Sequence, residues 1–275
     1  MRVLLLVISG SLCFAQGPLD DVINQAVHDG LIPGAVLIVG HDGKILHRKA
    51  YGSRALVPER EEMTVDTIFD LASLTKVIAT TSAAMKVYED GKFRLTEKVT
   101  DYLPEFQGGK SDITIRDLMT HFSGLRPDFD LDPPFSGYDA GIQRALIDKP
   151  QNPPGVRFTY SDTNFILIGE IVRRKSGKTL DELTREEIFK PLGMVDTQFN
   201  PPASLRGRIA PTEIDPSTGL PFRGVVHDPR SRLMGGVAGH AGLFSTADDL
   251  ARFAEMMLGM GTRDGVRIFS PLTIR

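Results

Sequence analysis

The chain has 275 residues, 41% apolar and 24% charged, with 32 basic against 35 acidic side chains for a formal net charge of −3. That balance is ordinary for a soluble globular protein of one large or two modest domains, and it excludes a disordered, collagenous or coiled-coil chain. No long run of either sign occurs, so neither a nucleic acid nor an anionic membrane surface is indicated as a partner.

Arg2 followed by an apolar run from Val3 to Ala15 has the layout of a secretory signal, with small Ala15 before Gln16 as the cleavage point. Thirteen residues fall short of the roughly 18 or more that span a bilayer, so no stable membrane span is expected. The only cysteine, Cys13, lies inside this segment. Residues 1–15 are therefore read as a signal peptide, and the remaining chain as periplasmic or secreted, with neither a disulfide nor a thiol nucleophile. A buried N-terminal strand or helix is the alternative.

Leu19, Val22, Ile23, Ala26 and Val27 repeat at helical spacing, and Gly30 to Gly34 ends that helix. Ala35 to Val39, a turn at Asp42-Gly43, and Ile45 to Tyr51 read as a two-stranded hairpin. Further on, helices are predicted over Ser73 to Asp90, Asn164 to Ser176 and Leu180 to Phe189, the last opened by a capping box of Thr179 and Glu182. The Pro-rich stretches 127–134 and 150–154 read as loops. Val225 to His227 and Ala238 to Phe244 are short strand candidates, and Ala247 to Leu258 is a capped helix. Ser270-Pro271 signals one more helix start only four residues before Arg275. The pattern predicts an α+β fold, with 16–72 and 225–275 forming an incomplete α/β region and 73–224 a mostly helical one. A lone hairpin is marginal as a sheet, so the expectation is of a truncated chain whose C-terminal sheet strands are missing.

Ser73-Leu74-Thr75-Lys76 carries the chemistry. Residues three apart share a helix face, so the Lys76 amine can reach the Ser73 hydroxyl. Alone the spacing is common. However, Val77 to Met85 carries no charge on any face, which predicts a helix buried all round. A lysine drawn into such a helix is desolvated, which favours the neutral amine and makes it a usable base. The alternative is a capping Ser73 with Lys76 reaching out to water. Pro153-Pro154-Gly155 leads to Tyr160-Ser161-Asp162, where a tyrosine at a loop-to-helix junction could take a proton from Ser73 if it lay beside Lys76. Sequence alone does not establish that proximity.

Ser73-x-x-Lys76, Tyr160-Ser161-Asp162, His121-Phe122-Ser123-Gly124-Leu125 and Pro191-Leu192-Gly193-Met194 together resemble the serine β-lactamase and penicillin-binding protein superfamily. Within it, the tyrosine is similar to the branch of class C β-lactamases, D,D-peptidases and related carboxylesterases. The resemblance implies an antiparallel sheet flanked by helices plus an all-helical region, with the site between them. It further implies Ser73 as nucleophile, Lys76 as its activating partner and Tyr160 as general base and later acid of an acyl-enzyme cycle. The substrate would be a small ester, a β-lactam or a peptidoglycan peptide. The activity would be that of a serine hydrolase or, alternatively, a D,D-carboxypeptidase, with a catalytically impaired fragment or binding protein as the remaining option.

Two departures bear on substrate. Relatives often carry Asn where this chain has Asp162, and an ionised carboxylate only accepts hydrogen bonds, which disfavours substrates with a nearby carboxylate. His240-Ala241-Gly242 fits the letters of the superfamily's third motif and makes His240 a candidate substrate-binding residue. Yet Ser245-Thr246 opens a helix directly afterwards, so Gly239 to Phe253 reads instead as the glycine loop and helix that precede that motif. Should the third-motif strand be absent, one oxyanion-hole donor is lost, and with it about 10²- to 10³-fold in rate.

The six histidines, at 28, 41, 47, 121, 227 and 240, show no metal-ligand spacing, and neither a metal nor a cofactor is expected. Gly177-Lys178-Thr179 lacks the first glycine of a phosphate loop, having Val172 there, and reads as a helix stop. No Gly-x-Ser-x-Gly elbow occurs.

Overall fold

A computed structural model describes residues 17–275; the predicted signal segment 1–15 and Cys13 lie outside the described residues. Helix α1 (Pro18–His28) begins with proline at its first turn and presents Asp20 and Asp21 to its own N-terminus. Strands β1 (Gly34–His41) and β2 (Lys44–Ala55) pair antiparallel as predicted, with His41 opposite Lys44. The two residues between them, Asp42 and Gly43, both have positive φ, as a two-residue hairpin turn of this twist requires. Strand β3 (Glu61–Glu62) adds to β2, so among the described residues this sheet runs β1-β2-β3 with β1 at an edge.

Strand β4 (Phe69–Asp70) leads into the long helix predicted from Ser73. Its first part, Lys76–Thr81, is π-helical, and an α-helical part, α2 (Ser82–Glu89), follows. Periodicity could not distinguish the wider turns, because Val77 to Met85 carries no charge on any face; the helix is nonetheless not buried all round, since Val77 is exposed. Helices α3 (Ile115–Met119), α4 (Tyr138–Ile147), α5 (Asp162–Ser176) and α6 (Leu180–Thr184) come next, the last running into a second π-helical turn, Arg185–Phe189. Helix α5 starts two residues earlier than predicted and is buried from Thr163 through Val172. It forms the central rod of a core built from Ile78, Ala83, Leu118, Ile142, Ile166 and Leu183, among others.

Strand β5 (Gln198–Phe199) precedes helix α7 (Pro229–Leu233), strand β6 (Leu243–Ser245) and helix α8 (Ala247–Leu258). The candidate strand at Val225–His227 is irregular: its His227 N–H bonds the Asp70 carboxylate rather than a neighbouring strand. Of Ala238 to Phe244, only the end is extended. It enters a separate sheet of order β4-β6-β5 and does not lengthen the hairpin sheet. The chain closes with a hairpin of β7 (Thr262–Arg263) and β8 (Val266–Arg267), then α9 (Pro271–Ile274), capped by Ser270 as its sequence signal predicted.

Glu61 ties the hairpin sheet to the loop before α7, accepting from both terminal nitrogens of Arg223 at 2.6 Å and from Arg54 at 2.9 Å. The Arg223 hydrogen bonds, helped by Arg54 and opposed by burial, hold its carboxyl down at about 2. A depressed carboxyl contributes stability above its unfolded value and loses it as pH falls through the folded one. Glu61→Gln is therefore expected to lower the melting temperature at pH 7, with the gap to wild type closing between about pH 4.5 and 2. Thermal melts across that range check this; a gap that stays constant would contradict it.

Candidate active site

The turn that carries Ser73 hangs on β6. Leu71 N–H donates to the Leu243 carbonyl at 2.9 Å, and Leu243 N–H donates to Thr75 Oγ1 at 3.1 Å. Between them Ala72 adopts φ +46°, a left-handed conformation costly for a residue with a Cβ, and its N–H is held by the Asp70 carboxylate at 2.8 Å. Ser73 is thereby set exposed at the head of a buried helix.

Lys76 is 3% exposed, which answers the choice between a buried amine and one reaching for water. Its Nζ meets three acceptors: Ser73 Oγ at 2.9 Å, the His240 backbone carbonyl at 3.1 Å and, as an ion pair, Asp162 Oδ1 at 2.7 Å. Tyr160 joins the same group, with its ring centroid 4.8 Å from Lys76 Nζ. Ser73, Lys76, Tyr160 and Asp162, separated by up to 89 positions, are thus brought together.

His240 arrives differently from its prediction. It lies in a bend before β6, and its backbone carbonyl, not its ring, faces Lys76. The ring is buried, with Nε2 2.7 Å from Asp228 Oδ1. Burial pushes the Asp228 carboxyl up. The His240 hydrogen bond and charge outweigh it, with the Ser231 N–H and Arg230 adding to them, and the carboxyl is held at about 2. Asp228 also caps α7 by accepting from Ser231 N–H at 2.7 Å. Sequence reasoning passed over Asp228, although Asp228-Pro229 is itself a helix-start signal.

The loop at 121–127 is the platform beneath Tyr160 and Asp162. Ser123 Oγ donates to Asn164 Oδ1 at 2.6 Å, Ser161 Oγ donates to the Arg126 carbonyl, and Asp162 N–H donates to the Pro127 carbonyl at 2.7 Å. On the far side, Thr80 Oγ1 donates to the Gly239 carbonyl at 2.6 Å. Gly239 itself packs backbone to backbone on helix α5, where a Cβ would stand 1.9 Å from the Phe165 carbonyl oxygen.

Asp162, Asp228 and His240 offer three ligand atoms within 4.8 Å of one another, the kind of set that can hold a metal ion. Each carboxylate already has a partner, Asp162 in Lys76 Nζ and Asp228 in the His240 ring. Chemically, the arrangement offers an exposed hydroxyl, a buried amine in contact with it, and a phenol alongside. That is the equipment for proton removal from an attacking serine.

An Escherichia coli (strain K12) protein named "Putative D-alanyl-D-alanine carboxypeptidase" is 32% identical over 300 aligned positions, covering 94% of this chain and 67% of that protein. The Bacillus subtilis (strain 168) "N-acetylmuramyl-L-alanine amidase" is 34% identical over 291, covering 92% of this chain and 65% of that protein. The chain thus spans about two thirds of the length of these curated relatives. Among solved structures, a class C β-lactamase from Rhodobacter sphaeroides superposes with a TM-score of 0.72 at 26% identity, covering 92% of this chain and 68% of that one. The α+β architecture is the β-lactamase and penicillin-binding protein fold. The sequence profile described as "Beta-lactamase" matches residues 19–270, and with it the chain belongs to the β-lactamase family.

Proposed function

We propose that this protein is an exported serine hydrolase that works through an acyl-enzyme on Ser73, with an amide or ester as substrate. The observation that carries the reading is the buried Lys76 amine bonded to the exposed Ser73 hydroxyl at 2.9 Å. In the acylation step Ser73 Oγ bonds to the substrate carbonyl carbon as its proton passes to the Lys76 and Tyr160 pair. The tetrahedral adduct then expels the amine or alcohol, which takes that proton away. Water attacks the resulting ester, the pair accepts its proton and returns it to Ser73, and the acid is released. The Ser73 backbone N–H supplies one donor to the developing oxyanion.

The apolar stretch behind Arg2 supports export. The names of the two relatives, both of which describe amide substrates, favour a second and narrower reading: cleavage of peptidoglycan peptides, as by a D,D-carboxypeptidase. Asp162 weighs against that reading and toward neutral esters, since its oxygens only accept and both a D-Ala-D-Ala peptide and a β-lactam carry a carboxylate near the scissile bond.

The test is labelling of the 275-residue chain by a fluorescent fluorophosphonate. One adduct per chain is expected, lost in Ser73→Ala; no adduct, or an adduct undiminished in that variant, overturns the proposal. Turnover of a short-chain nitrophenyl ester, a D-Ala-D-Ala peptide and a chromogenic cephalosporin then ranks the substrates. The ester is expected to be turned over best, and preference for the cephalosporin over the ester would refute the reading of Asp162.

A further inference from the structure

Tyr160 is 46% exposed, and among the described residues its hydroxyl makes no hydrogen bond that would hold the ring in place. What borders it is His121. The Thr159 N–H donates to the His121 carbonyl at 2.9 Å, and the Ser161 N–H donates to His121 Nδ1 at 3.1 Å. The residues on both sides of the tyrosine are thus tied to a single histidine. Its imidazole lies against the phenol ring, with centroids 4.5 Å apart and planes 31° apart, and is itself flanked by Phe165 at 5.2 Å and Phe158 at 5.8 Å.

From this geometry we infer that His121 is a positioning residue, fixing the Tyr160 ring beside Lys76 by stacking on it and tethering the backbone to either side. The inference rests on the acyl-enzyme reading given above. His121 holds φ +62°, a conformation that survives in a non-glycine residue only where its surroundings enforce it. Nδ1 is the acceptor from Ser161, so a neutral ring carries its proton on Nε2. The charged groups facing the ring are Lys76 and Asp162. Burial lowers its affinity for a second proton, Lys76 lowers it further and Asp162 opposes them, so the ring is held below the ordinary histidine range and stays an acceptor at neutral pH. The backbone after Tyr160 is also held by the Arg126 and Pro127 carbonyls, so what His121 adds is the tether on the Thr159 side and the contact with the ring itself.

The test is a double-mutant cycle on the full chain. His121→Asn suits it, because Asn tolerates positive φ and places Oδ1 where Nδ1 stood, keeping the backbone tether while deleting the stacked ring. The rate of fluorophosphonate labelling is expected to fall about tenfold or more, in line with the cost of slightly misplacing a reacting group. In a Tyr160→Phe background the same substitution is expected to change the rate by less than about twofold, because its effect is routed through the phenol. Rates are taken from the fraction that labels, so misfolded protein lowers the amplitude and not the rate constant. A His121→Asn rate equal to wild type, or an equal slowing with and without the Tyr160 hydroxyl, overturns the positioning role and leaves Ser73 acylation standing. A wild-type chain that does not label removes the acyl-enzyme reading itself, and this inference with it.

Discussion

Lys76→Met is expected to slow acylation of Ser73 by about 10³-fold, within the range of about 10²- to 10⁴-fold for losing a positioned proton acceptor. Methionine keeps most of the length of the side chain and suits the buried position of Lys76. Its partners tolerate the loss unequally. Ser73 is exposed already, whereas Asp162 Oδ1 is buried and loses the cation opposite it, and the buried His240 carbonyl loses its donor. Breaking a buried pair costs about 3–5 kcal/mol, so the melting temperature is expected to fall by roughly 6–20 °C, while the rate constant of the folded fraction collapses. Lys76→Arg is expected to fail as well, because a guanidinium stays protonated and cannot accept the serine proton. Stopped-flow labelling with a reactive ester or fluorophosphonate measures the rate, and calorimetry the stability. A Lys76→Met enzyme within about threefold of wild type would remove the amine from the mechanism.

The second large effect is expected from a single methyl group. In Gly239→Ala the new Cβ would stand 1.9 Å from the Phe165 carbonyl oxygen and 3.3 Å from Gly169 Cα. Both belong to the buried central helix, so neither is the far end of a side chain that can swing aside. The loop must retreat, taking with it the Gly239 carbonyl held by Thr80 and the adjacent His240 carbonyl held by Lys76. Overpacking of this kind costs typically about 1–3 kcal/mol and at times more. At about 3 kcal/mol the melting temperature of a chain this size falls by roughly 6–12 °C. Labelling of Ser73 is expected to fall with it, since Lys76 loses one of its three acceptors. Gly207→Ala, where nothing lies within 4 Å and φ is not positive, is the control and is expected to stay within about 0.5 kcal/mol of wild type. Equal stability for the two variants would show that the contact between the loop and α5 yields easily.

Much of the architecture was legible because its signals are local. The Asp42-Gly43 turn, the Thr246 cap of α8 and the Ser270 cap of α9 each declare themselves within four residues. The same is true of Ser73 and Lys76, whose contact is one helical turn long. What stayed hidden depends on distant partners. The proximity of Tyr160 to Lys76 is set by the 121–127 loop. The His240 carbonyl reaches Lys76 because two glycines let a loop and a helix touch. Residues 225–227 look like a strand by composition but spend an N–H on Asp70, and the six-residue π-helical turn at Lys76 leaves no trace in a run that carries no charge after the lysine. His240 shows the difference most plainly: its letters suggested a ring facing substrate, whereas its backbone oxygen faces the lysine and its ring is paired with an aspartate no local pattern linked to it.

The bond from the Lys76 amine to residue 240 crosses 164 positions of chain. A ribosome releases Ser73 and Lys76 long before it releases that carbonyl, and closing so wide a loop is a late event in folding. Throughout synthesis the growing polypeptide therefore carries a serine and a lysine side by side with the amine's third acceptor still unmade. The full set of acceptors around the amine is complete only once residue 240 has been made and folded back against it.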